Sequence, residues 1–136
     1  MSQTTTQTSP LEVVERLYGA FQSQDIETVI GCFAEDAVIE QSAELPWGGT
    51  YRGPAGVMEF FGALTSHITT QVETERFIVA GDTVVEVGRS AGTANATGRE
   101  FSVDLVHVFT VSGDRVTRME AYADHAAMRE ALGTAG

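Results

Sequence analysis

The stretch REFSVDLVHVFTV, Arg99 to Val111, constrains the fold more than any other part of the chain. In a strand successive side chains point to opposite faces, so Val103, Leu105, His107, Phe109 and Val111 share one side and Asp104, Val106, Val108 and Thr110 the other. Both sides carry apolar residues, so both must be covered. A chain of 136 residues is long enough for one domain with its own core and too short for two ordinary ones. Helices cover one side of its sheet, and the economical cover for the other is a second copy of the chain. The strand therefore predicts a homodimer through Val106 and Val108 on the outer face.

The rest of the chain supplies the helices. Ser9-Pro10-Leu11-Glu12 combines an N-cap serine, a proline at the first helical position and a glutamate that completes a capping box. Leu11, Val14, Leu17, Tyr18 and Phe21 follow at spacings of three and four, predicting a helix to about residue 23. Asp25 caps a second, shorter helix with Ile26, Val29, Ile30 and Phe33 on its buried side. Ala37 to Ala43 reads as a short strand, ELPWGGTYRG as a loop holding Trp47 and Tyr51, and Pro54 as the start of a third helix with Val57, Phe60, Phe61 and Leu64 inside. Strands are predicted at 70–80, 83–92, 99–111 and 115–123, the last two joined as a hairpin through Ser112-Gly113-Asp114. Asp124 caps a final helix, HAAMREAL, ending at Gly133. The class is α+β, with three N-terminal helices packed on a curved, mostly antiparallel sheet. Residues 9–133 form the single domain, and residues 1–8 are expected to be a disordered polar tail.

Several function classes lose their footing at once. With 19 acidic against 8 basic residues and no basic cluster, the chain would repel nucleic acid. It has no apolar run of membrane-spanning length and no basic-then-apolar opening of a signal peptide, so no membrane partner is expected and the cytoplasm is the default location. Motifs for dinucleotides, phosphates, zinc and serine hydrolysis are missing, and His67, His107 and His125 fall in three different elements without spaced carboxylates. No cofactor and no metal are expected. Cys32, flanked by Gly31 and Phe33, reads as a small buried hydrophobe. His67 and His125 read as surface residues, and Asp124 as a helix cap.

His107 is the exception that carries chemistry. On the helix-covered face, between Leu105 and Phe109 and beside Met119 of the next strand, its imidazole is expected to be desolvated and neutral near pH 7. A neutral imidazole suits a general base or a ligand anchor, and equally a core histidine bonded to Tyr18 or to a backbone carbonyl. Trp47 and Tyr51 either line a pocket mouth or staple the loop to the third helix.

The opening LYGAFQSQDIETVIGCFAEDAVIE, the segment GGTYRGPAGVMEFF and the closing hairpin HVFTVSGDRVTRMEAYAD together resemble the nuclear transport factor 2-like superfamily, in its SnoaL-like and ketosteroid isomerase-related branch, over roughly residues 10–132. The resemblance implies a cone-shaped α+β barrel around an apolar cavity that takes a small apolar molecule, with dimerisation through the outer sheet face. It places Gln41 where ketosteroid isomerases carry their base aspartate, and a glutamine cannot abstract a proton. The helix-1 oxyanion tyrosine of those isomerases falls on Leu17, one residue from Tyr18, and their second oxyanion donor falls on His107. Limonene epoxide hydrolase-like relatives need an Asp-Arg-Asp set, of which one aspartate falls on Ala121, while Arg89 or Glu86 of the middle strand offer substitutes.

The functional expectation is a cofactor-independent enzyme acting on a small carbonyl compound by polyketide cyclase, isomerase or dehydratase (lyase) chemistry. His107 is its acid-base, with Gln41 and Tyr18 positioning the carbonyl. Glu40, Trp47, Tyr51, Phe60, Phe61, Arg89, Phe109 and Met119 are the expected substrate contacts. The alternatives are a non-catalytic binding module for a small apolar ligand, and an epoxide hydrolase-like enzyme with a non-standard acid set.

Overall fold

The computed structural model describes residues 9–133, apart from the side chain of His125; the polar tail expected over residues 1–8 lies outside the described residues. The chain runs α1 (Pro10–Gln22), α2 (Ile26–Gly31), β1 (Phe33–Gln41), β2 (Gly49–Arg52), α3 (Gly53–His67), β3 (Ile68–Ala80), β4 (Thr83–Ala94), β5 (Glu100–Ser112), β6 (Arg115–Ala123) and α4 (His125–Leu132). It is an α+β fold built on one curved, open six-stranded sheet, ordered β2-β1-β6-β5-β4-β3. Every neighbouring pair is antiparallel except β1 with β6. Among the described residues no helix is long and apolar enough to cross a membrane.

The predicted caps form. Ser9 accepts from the backbone N–H of Glu12, whose carboxylate accepts in return from that of Ser9. The side chain of Asp124 accepts from the Ala127 N–H at the start of α4, and Gly133 ends that helix at φ +81°. Along β5 the alternation is as expected: Val103, Leu105, His107, Phe109 and Val111 are buried, and Val106, Val108 and Thr110 are half-buried on the outer face. Cys32 is buried, and burial pushes its thiol pKa up.

Two elements differ from the sequence reading. Phe33, expected on the buried side of α2, begins β1 instead, because the Cys32 N–H closes α2 onto Thr28 and Val29 while its carbonyl accepts from Val116 of β6. Part of the expected loop is a strand: Gly49 to Arg52 pairs antiparallel with Val38 to Gln41, a short edge ladder hidden among turn residues.

Helices α1 and α3 pack on the concave side of the sheet, and Val14, Leu17, Phe60 and Phe61 join Ile39, Phe109 and Met119 in one core. Helix α4 brings Met128, 2% exposed, to the same interior. Burial of these side chains is worth about 1.5–3 kcal/mol each, which holds the helices on a sheet whose inner face has little else to rest on.

Candidate functional site

The concave face is not completely filled. A cavity remains between the sheet and helices α1 and α3, walled by Leu17, Phe21, Trp47, Phe60, Phe61, Ile68, Leu105, Phe109, Met119 and Met128. Five polar side chains reach it: Tyr18, Gln41, Thr70, Ser90 and His107. An apolar pocket with a few placed polar groups is the usual form of a small-molecule site.

Strand register explains how these groups meet. His107 is opposite Ala121 on β6 and Glu86 on β4. Gln41 lies one residue beyond the Glu40–Glu120 pair, in the same row. The row therefore reads Gln41, Ala121, His107, Glu86 across four strands. Neighbouring strands are about 4.8 Å apart, so the backbones of Gln41 and His107 stand roughly 10 Å apart. Between them Ala121 offers only a methyl group, leaving a gap that a larger side chain would fill.

Tyr18, from the buried stripe of α1, reaches down to this row. Its Oη is 2.5 Å from His107 Nδ1 and donates to Glu86 Oε1 at 3.4 Å; Glu86 Oε1 and His107 Nδ1 are 3.6 Å apart. The Phe109 ring meets the Tyr18 ring edge-on, with centroids 5.7 Å apart, and fixes its position. His107 Nε2 has no protein partner among the described residues. Two further polar atoms, Gln41 Nε2 and Glu86 Oε2, are buried without a hydrogen bond of ordinary geometry. In a folded interior such atoms are rare, and they mark places where a ligand or water completes the bonding.

Burial sets the protonation of the group. It lowers the His107 pKa from 6.5 to about 4, so the imidazole is neutral at physiological pH. Burial, and then the carboxylate of Glu86, raise the Tyr18 hydroxyl well above its ordinary value. Burial also raises the Glu86 carboxyl, against the pull of the Thr74 and Tyr18 hydroxyls. Gly88 lets this carboxylate fit: a Cβ there would lie 2.6 Å from Glu86 Oε2 and would also strike the Glu73 carbonyl.

The predicted site residues divide. His107, Gln41, Tyr18, Trp47, Phe60, Phe61, Phe109 and Met119 all line the cavity. Arg89 does not: alternation along β4 turns it to the outer face, where it pairs with Asp104 at 3.4 Å and donates to Ser102. This removes the arginine from the epoxide-hydrolase set. Glu40, also on the outer face, pairs with Arg118 because the residue before inward Gln41 must point outward. Tyr51 is a staple and not a wall: its hydroxyl donates to the Trp47 carbonyl at 3.0 Å and its ring packs on Phe60. His67, expected at the surface, is half-buried against Trp47, and its Nδ1 donates to the Ala63 carbonyl at 2.9 Å. Among the described residues no group of three His, Cys, Asp or Glu side chains could hold a metal.

Sequence reasoning missed Met128, the Thr70–Ser90 hydroxyl pair at 2.6 Å and the contact of Glu86 with His107. Period-2 reading of β4 would put Val84, Glu86, Gly88 and Ser90 on one face, which flags a buried acid; its partner depends on the register of the β4–β5 hairpin, set by the turn over residues 95–99.

The fold has relatives. Residues 14–119 match the SnoaL-like domain. The chain belongs to the SnoaL-like family. No curated protein matches the sequence. Among solved structures, an NTF2-like protein from Burkholderia pseudomallei K96243 superposes with a TM-score of 0.86 at 26% identity, over 92% of this chain and 98% of that one. TerC, co-crystallised with polyporic acid, superposes with a TM-score of 0.85 at 26% identity, over 93% of this chain and 99% of that one. A protein of ketosteroid isomerase-like fold from Catenulispora acidiphila DSM 44928, in complex with trimethylamine, shares the fold at 19% identity, with a TM-score of 0.79 and coverage of 93% and 95%.

Proposed function

We propose that this SnoaL-like protein is a cofactor-independent enzyme that moves a proton next to the carbonyl of a small, mostly apolar compound, in cyclase, isomerase or lyase chemistry. The observation that carries the reading is the neutral His107 at the cavity wall, its Nδ1 held by Tyr18 at 2.5 Å and its Nε2 without a protein partner. Held this way, the ring has one nitrogen fixed and the other free to take or return a proton. The buried, unpartnered Gln41 Nε2 is an amide donor across the Ala121 gap, suited to the oxygen on which negative charge develops as the neighbouring carbon loses its proton. The apolar walls favour a substrate whose remaining surface is hydrocarbon or aromatic ring. Crystallisation of the relative TerC with polyporic acid supports a ring-bearing ligand and supplies a first probe.

Proton abstraction is read without knowing the product. Candidate apolar ketones with an enolisable C–H are incubated in D2O with the protein, and loss of the proton beside the carbonyl is followed by NMR. Exchange is expected with the wild type and should fall by about 10²–10⁴ in His107→Gln. Ligands that saturate the pocket without any exchange would leave the non-catalytic binding module as the correct reading.

A further inference from the structure

Glu86 does not line the cavity and takes no part in the step above, yet it is fully buried directly behind Tyr18 and His107. A phenol has one proton and can donate only once. When Tyr18 donates to an ionised Glu86, its oxygen must accept from His107 Nδ1–H, which leaves Nε2 with a lone pair. When Glu86 carries a proton and donates to Tyr18, Tyr18 donates to Nδ1, and Nε2 carries the N–H. The same three side chains thus hold two arrangements that differ by one proton on Glu86.

We propose that Glu86, acting through the Tyr18 hydroxyl, sets the tautomer of His107 and so decides whether the cavity is offered a base or an acid. This rests on reading His107 as the acid-base of the site, and Glu86 is a positioning residue within it. The groups facing the carboxyl are few. Helix α1 brings Tyr18 and β5 brings His107; β3 brings Phe77, opposite Glu86 in register, and the Thr74 hydroxyl. The charged residues of that stretch of β3, Glu73, Glu75 and Arg76, are exposed. No cation of the described residues pairs with Glu86 apart from the imidazole itself, should it protonate. The added proton belongs on Oε1, the oxygen 3.4 Å from the Tyr18 hydroxyl, where the same contact then runs in the opposite direction.

The test reads the tautomer directly, with no substrate. Long-range proton–nitrogen NMR correlations of His107 are recorded on the full ¹⁵N-labelled chain from about pH 8 to about pH 4.5. In the wild type the neutral ring is expected to pass from the Nδ1–H to the Nε2–H form on acidification, the tautomer ratio changing at least about tenfold. Glu86→Gln keeps the shape of the side chain and should hold one tautomer ratio throughout; Tyr18→Phe, which cuts the link but keeps the carboxyl, should do the same. A wild-type ratio that does not move while the ring is neutral overturns the proposal, as does pH dependence that survives in Glu86→Gln. Survival in Tyr18→Phe alone overturns the route through the hydroxyl. Because exchange of substrate protons is measured separately, failure of this coupling is distinguishable from failure of the enzyme reading.

Discussion

Replacing His107 by Leu is expected to make the protein less sensitive to acid, and the size of the effect follows from burial. The folded imidazole has a pKa of about 4 against an ordinary 6.5, so between these values the unfolded chain binds a proton that the folded chain refuses. Stability must then rise with pH through this window and fall on acidification, the loss being complete only below the folded value. Complete loss amounts to about 3 kcal/mol; between pH 7 and pH 5 it is about 2 kcal/mol. The Glu86 carboxyl has the opposite sign, since its folded pKa is raised and the stability it brings at low pH is lost as pH rises through the raised value. It remains in both proteins, so the difference between them isolates the histidine to first order. Urea unfolding followed by the fluorescence of Trp47, the single tryptophan and 3% exposed, measures both proteins. With a urea slope of about 1–3 kcal/mol/M, the wild-type midpoint should drop by roughly 1 M more than that of His107→Leu between pH 7 and pH 5. A difference between the proteins that stays constant over that range would mean His107 is not desolvated in the folded state, and the neutral acid-base would have no physical basis.

Three further outcomes are expected. Ala121→Leu should fill the gap between Gln41 and His107 and abolish deuterium exchange of any ketone that the wild type exchanges, while the unfolding free energy falls by no more than the ~1–3 kcal/mol of an overpacked core site. Asp124→Ala should cost about 0.5–2 kcal/mol through loss of the bond to the Ala127 N–H, seen by thermal unfolding. The homodimer proposed through the outer face should give a dimer mass in analytical ultracentrifugation, and Val108→Glu, placing a charge among half-buried residues, should give a monomer; a wild-type monomer at high protein concentration would rule the dimer out.

Much of the fold was legible because its signals are local. The capping box at Ser9, the Asp124 cap and the alternation of β5 depend on residues a few positions apart, and each formed where it was read. Strand β2 was not legible: it is an edge ladder of four residues in a glycine-bearing stretch, and its pairing with β1 is set by a partner strand and by the packing of Tyr51 on Phe60, neither of which is a local signal. For the site, alternation alone turned His107 inward, and the resemblance placed Gln41, which lines the cavity with it. The same rule, applied to β4, turns Arg89 away, and the error of counting it as a substrate contact came from importing a position by resemblance in place of reading the pleat. The joining of Tyr18 to His107 and Glu86 was the hardest part, because it depends on the register of a helix over the sheet, which no local pattern encodes.

The parallel pairing of β1 with β6 has a consequence for how the protein is made. It joins a strand from the first third of the chain to the strand that precedes the last helix, and it is this pairing that carries Gln41 to the side of Ala121 and His107. A ribosome-bound chain lacking β6 has helices α1 to α3 and the amide but no row for them to complete. Closing so long a loop is entropically slow. The pocket should therefore appear only in the final step of folding, and ligand binding, unlike helix content, should report on chains that have been synthesised to the end of the sheet.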